Sequence, residues 1–91
     1  MFTEVHCKVS GKVQRVGYRD FVDRSAKEHN LKGWVRNNAD GTVEVLVQGI
    51  PDALKAFTEE LNEGSVLARV ESVATDWRTP KKLFDQFEVL Y

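Results

Sequence analysis

Ninety-one residues, 42% of them apolar and 30% charged, are enough for one hydrophobic core and too few for two. The formal net charge of −1 excludes a general basic field that would recruit nucleic acid or an anionic membrane, while leaving room for a local basic site. A lone cysteine, Cys7, excludes an internal disulfide and a four-cysteine metal site, and its setting fits a reducing, cytoplasmic compartment.

The opening MFTEVHCKV carries an acid and alternates in polarity, unlike a signal peptide, and no apolar run approaches membrane-spanning length. From Glu4 to Val9, the apolar Val5, Cys7 and Val9 alternate with His6 and Lys8, which predicts a half-buried strand. The period then changes: Tyr18, Phe21, Val22, Ser25, Ala26 and His29 fall on one helical stripe, and Asn30 and Gly33 mark its stop. GWVRN, residues 33–37, is a second short strand, and Asp40-Gly41 makes a hairpin turn because both residues tolerate positive φ. Thr42 to Gln48 is the strongest strand, with Val43, Val45 and Val47 on one face. Pro51 suits the first turn of a second helix, with Asp52 at the positive end of its dipole. Leu54, Phe57 and Leu61 form the buried stripe of that helix, and Gly64 is its stop. Arg69 to Trp77 returns to strand character, and Gln86 to Tyr91 closes the chain with another.

The order is β-α-β-β-α-β with a short extra C-terminal strand. Packing two helices on one face of an antiparallel sheet buries these stripes economically, which is the α+β, ferredoxin-like sandwich. No repeat or linker divides the chain, so residues 1–91 are expected to form a single domain. The fold decides little about function, because many unrelated activities share it.

Several chemistries are disfavoured by what the motifs lack. The stretch GKVQRVGYRDF, Gly11 to Phe21, is not a nucleotide-binding P-loop: five residues separate its glycines and Tyr-Arg follows, where that motif needs four and then Lys-Ser/Thr. His6 and His29 lie on different elements without ligand companions at metal spacing. His6 is expected to face solvent or a loosely packed sheet face, and His29 to complete a helix end. Cys7 sits among valines and reads as a core filler, not a nucleophile.

The same stretch does have the makings of an anion site. It joins a strand to a helix, whose first free N–H groups and positive dipole end point back into the loop. Gly17 would let backbone approach a ligand, and Gly11 would let the chain leave the strand sharply. Arg19 stands in the first helical turn, where a cation is unfavourable by some tenths of a kcal/mol, ~0.3 or more, until an anion neutralises it. A solvated arginine beside a glycine turn explains the spacing equally well.

VSGKVQRVGYRDFV together with LKGWVRNNADGTVEV resembles the acylphosphatase family, whose signatures are a G-x-V-Q-G-V-x-[FY]-R loop and a G-[WY]-V-x-N-x-x-[DN]-G-[ST]-V segment. Both stand in the right order, and the second helix, ARVESV and FEV extend the resemblance over nearly the whole chain. The resemblance implies hydrolysis of acyl phosphates to carboxylate and inorganic phosphate, the latter as product or inhibitor, with no metal or cofactor. Arg19 matches the family's loop arginine and would bind the phosphoryl oxygens. Gln14, Arg15, Val16, Gly17, Tyr18 and Arg19 would form the substrate-binding stretch, with backbone N–H groups from Arg15 to Arg19 completing a cradle. Asn37, which directly follows GWVR, matches the asparagine that would orient the attacking water. Always-charged Arg suits the three anionic oxygens of a phosphoryl group, and neutral Asn can hold water without a tuned pKa.

Three departures from the family pattern stand out: Arg15 occupies a usual glycine, Asn38 a frequent threonine, and EGSVLARVES lacks the commoner Gly-Pro start. Either a positive φ at position 15 strains the arginine by roughly 1–2 kcal/mol or the loop takes a slightly different path, and the added charge would help attract an anionic substrate. The rival is a degenerate member that only binds phosphate or a protein. An RNA-binding sandwich would need surface aromatics on Thr42 to Gln48, and a metallochaperone paired cysteines in the first loop; neither is present. No nucleic-acid or membrane partner is expected, and small size with an ordinary surface favours a monomer.

Overall fold

The computed structural model describes residues 2–91. In chain order its elements are β1 (Thr3–Lys12), α1 (Tyr18–Glu28), β2 (Lys32–Asn37), β3 (Val43–Gly49), α2 (Pro51–Glu63), β4 (Arg69–Arg78) and β5 (Phe87–Leu90). The strands form one sheet in the order β4-β1-β3-β2-β5. Opposite Val47, Val45 and Val43 of β3 stand Val5, Cys7 and Val9 of β1, and Val35 of β2 also pairs with Val45. All seven are fully buried, as are Val22 and Ala26 of α1 and Leu54, Phe57 and Leu61 of α2. Each such side chain contributes roughly 1.5–3 kcal/mol, less for the smaller ones. This is the ferredoxin-like sandwich the alternation and the helical stripes predict.

One edge differs from the antiparallel expectation: β5 runs parallel to β2. The chain reverses after β4 as a hairpin would, but it lands beside β2 at the far edge of the sheet. Gln48, fully buried, holds the intervening segment. Its Nε2 donates to Glu4 Oε1 at 2.9 Å and to the Lys82 carbonyl at 2.5 Å, and its Oε1 accepts the Phe84 N–H at 3.1 Å.

The helix ends follow from local chemistry. Asn30 adopts φ 58, its N–H bonds the Lys27 carbonyl, and the Leu31 N–H bonds the Ala26 carbonyl. That is a Schellman ending with Asn in the left-handed position. Glu60 of α2 joins the two helices, accepting from Ser25 Oγ at 2.5 Å and lying 2.6 Å from His29 Nε2. The Ser25 and His29 hydrogen bonds lower the Glu60 pKa. His29 thus does complete a helix end, and its ring also clasps the neighbouring helix. His6 is similarly engaged, 2.5 Å from Glu44, which also accepts from Arg36 at 2.8 Å. Partial burial alone would raise Glu44, but the His6 and Arg36 hydrogen bonds outweigh it and its pKa is lowered. Cys7 is a core filler as expected, its thiol pushed up to about 12 by burial.

Candidate active site

The loop between β1 and α1 leaves the sheet through a break in register at Ser10/Gly11. Gly11 has φ 125, and a Cβ there would lie 2.2 Å from the Arg69 carbonyl of β4, so no larger residue fits without moving the strand. The loop ends at Gly17, φ 76, which caps α1 without a side-chain hydrogen bond. A Cβ on Gly17 would meet nothing within 4 Å. Backbone here therefore faces open space at the positive end of an eleven-residue helix.

That space is a cavity of about 180 Å³ lined by Val13, Arg15, Gly17, Tyr18, Arg19, Asp20 and Asn37. It can hold a phosphoryl group and a water, whose share of liquid volume is about 30 Å³. Arg19 is half-buried and oriented from two sides. Its Nη1 donates to the Leu90 carbonyl at 3.1 Å, and its guanidinium lies 4.8 Å from the Tyr91 ring centroid. Asn37, the last residue of β2, has a buried Oδ1 with no hydrogen-bond partner among the described residues. An unsatisfied buried acceptor costs about 1–3 kcal/mol, so it needs an explanation other than stability. Arg19 and Asn37, eighteen positions apart, thus line one cavity.

The other residues of the loop divide into two groups. Gly17 and Tyr18 line the cavity, although the Tyr18 ring is buried in the core and its hydroxyl donates to the Leu61 carbonyl at 2.8 Å. Burial, with a smaller contribution from Cys7, raises the Tyr18 pKa, so it stays a neutral donor. Arg15 lines the cavity and adopts φ 62, the positive value that makes arginine strained by roughly 1–2 kcal/mol. The side chains of Gln14 and Val16, grouped with the substrate contacts from sequence, lie outside the lining. Val16 packs on the core, and Gln14 Nε2 donates to the Asn38 carbonyl at 2.8 Å and the Thr42 carbonyl at 2.9 Å. Gln14 therefore ties the loop to the β2–β3 hairpin and fixes where Asn37 stands relative to Arg19. Leu90 and Tyr91, the partners of Arg19, lie outside both family motifs. No periodic signal links position 19 to a carbonyl 71 residues away.

The hairpin itself is closed by Asp40. Its Oδ1 accepts from Thr42 N–H at 3.1 Å and Thr42 Oγ at 2.6 Å, and Lys8 Nζ lies 3.1 Å from its Oδ2. The Thr42 hydrogen bonds, more than Lys8, hold the carboxyl down at about 2.

Fold and cavity together define a small α+β sandwich with an arginine-lined recess at its first strand-to-helix turn. The family model described as acylphosphatase matches residues 5–89. An acylphosphatase of Salinibacter ruber is 41% identical over 85 residues, covering 93% of this chain and 90% of its own. The crystal structure of acylphosphatase from Bacillus subtilis matches with a TM-score of 0.95 at 34% identity, over 98% of this chain and 99% of its own. An acylphosphatase from Coxiella burnetii matches with a TM-score of 0.92 at 37% identity, over 98% and 93%. The chain belongs to the acylphosphatase family and is a hydrolase of that class. Among the described residues no helix is long and apolar enough to cross a membrane.

Proposed function

We propose that residues 1–91, acting as one domain, hydrolyse the carboxyl-phosphate bond of small acyl phosphates without a metal ion. The observation that carries this is the meeting of the Arg19 guanidinium and the unpartnered Asn37 Oδ1 in one recess at the start of α1. Arg19 grips the phosphoryl oxygens through its paired donors, helped by the positive helix end. Asn37 Oδ1 accepts a hydrogen bond from a water and so aims its lone pair at phosphorus. Water oxygen bonds to phosphorus as the phosphorus–acyl oxygen bond breaks, and the carboxylate departs with the electron pair. The proton released by the water passes to a phosphoryl oxygen. A carboxylate is a good leaving group, so the site needs positioning and charge more than a strong base.

Purified protein should release phosphate from benzoyl phosphate with EDTA present. Turnover no faster than the uncatalysed reaction would refute the reading in favour of a phosphate- or protein-binding member of the family.

A further inference from the structure

Two arginines line the recess, and they are held in opposite ways. Arg19 is half-buried and already engaged by Leu90 and Tyr91. Arg15 is exposed, and its guanidinium has no hydrogen-bond or ion-pair partner among the described residues. Its backbone is nevertheless kept at φ 62, a conformation arginine adopts only at a cost. Strain at a cavity wall without a structural partner points to a role toward what enters the cavity.

The chemistry says which part of the substrate that would be. In-line displacement puts the leaving oxygen on the far side of phosphorus from the water. With water held by Asn37, the acyl half points away from β2. The remaining wall offers few groups to receive it. Val13 and the Tyr18 ring belong to the core, Gly17 has no side chain, and Arg19 is committed to the phosphoryl oxygens. Arg15 and Asp20 are left, and of these only Arg15 is cationic. Resting on the hydrolase reading, we infer that Arg15 recognises a second anion on the acyl half, so that the favoured substrates are acyl phosphates whose acyl group bears its own carboxylate. A cationic acyl group would be drawn to Asp20 and repelled by Arg15, and a neutral one gains from neither.

The test compares kcat/KM for 4-carboxybenzoyl phosphate and benzoyl phosphate, which differ by one rigidly placed charge. The wild-type protein should prefer the carboxylated substrate by about fivefold at low salt, the size expected of one exposed charge contact. That preference should shrink in about 0.5 M salt as the charges are screened. R15G, which relieves the positive φ, and R15Q, which keeps the side-chain length, should both bring the ratio to about one, whatever happens to benzoyl phosphate turnover itself. R15K should retain part of the preference. A wild-type ratio near one, or a ratio that survives R15Q because both substrates fall together, would overturn the inference and leave Arg15 as a phosphoryl ligand or a tolerated variant. No turnover of benzoyl phosphate by the wild-type protein would instead take down the hydrolase reading, and this inference with it.

Discussion

Replacing Gln14 by methionine removes two hydrogen bonds while keeping the length of the side chain. The bonds lost run from Nε2 to the carbonyls of Asn38 and Thr42, at 2.8 and 2.9 Å. Neither carbonyl is orphaned, because the Asn38 oxygen still accepts from the Gly41 N–H and the Thr42 oxygen from the Asn38 N–H. The loss is therefore two net hydrogen bonds without a desolvation penalty, about 1–2 kcal/mol in all. For a domain of this size that is a fall in Tm of roughly 4–16 °C. The larger consequence is geometric. Asn37 and the Arg19 loop belong to different elements, and Gln14 is the tie between them. Misplacement of the order of 1 Å between a water-orienting group and the reacting centre can cost about 10²-fold in rate. Q14M should then lose kcat while inhibition by inorganic phosphate, which needs the cradle but not Asn37, stays close to wild type. Thermal unfolding, benzoyl phosphate kinetics and phosphate inhibition constants on one preparation decide the matter. Parallel loss of phosphate inhibition and kcat would make Gln14 a direct substrate contact, and an unchanged Tm and kcat would refute the tie altogether.

Two further outcomes follow from the same geometry. Asn37→Ala should cost about 10²-fold or more in kcat without lowering Tm, since its Oδ1 is buried and unpaired; a clear drop in Tm with turnover intact would contradict the water-holding role. Asp40, held at about 2 against an ordinary 3.8, is depressed by folding, so its contribution is present above the unfolded value and disappears as pH falls from about 4 toward 2. Asp40→Asn should flatten the Tm profile across that window, and an unchanged acid slope would show that the Thr42 hydrogen bonds do not stabilise the charged form.

The parts of this protein that repeat a pattern were legible in its residues, and the parts made by single polar contacts were not. Alternation in Val5, Cys7 and Val9 and in Val43, Val45 and Val47 announces a sheet with one buried face, because a period of two leaves those side chains no other common side. The helical stripe ending in Leu61 is equally plain. Spacing alone does not bring Arg19 and Asn37 together; the two family motifs name them, and the β-α-β-β-α-β order lets the first loop and the end of the second strand meet at one edge. Gln48 could not be read: a glutamine at the end of an apolar strand looks solvent-facing, and its burial depends on a segment about 34 residues later crossing the sheet. The motif groups Gln14 with the substrate-binding loop, and no sequence pattern announces that its amide also bonds the β2–β3 hairpin. Arg15 at positive φ was foreseeable as a strain, and the loop keeps the strained path instead of relaxing to another.

The hold of Leu90 and Tyr91 on Arg19 couples the arginine proposed to grip the phosphoryl group to a short edge of the sheet. β5 is four residues long, lies at an edge and pairs with a single neighbour. Edge segments of this kind open at a fraction of the free energy needed to unfold the core. Each such opening frees Arg19 to wander while the valine core stays shut. Heating should therefore silence turnover before the protein melts, and amide exchange along Phe87 to Leu90 should report on catalytic competence more faithfully than the melting temperature does.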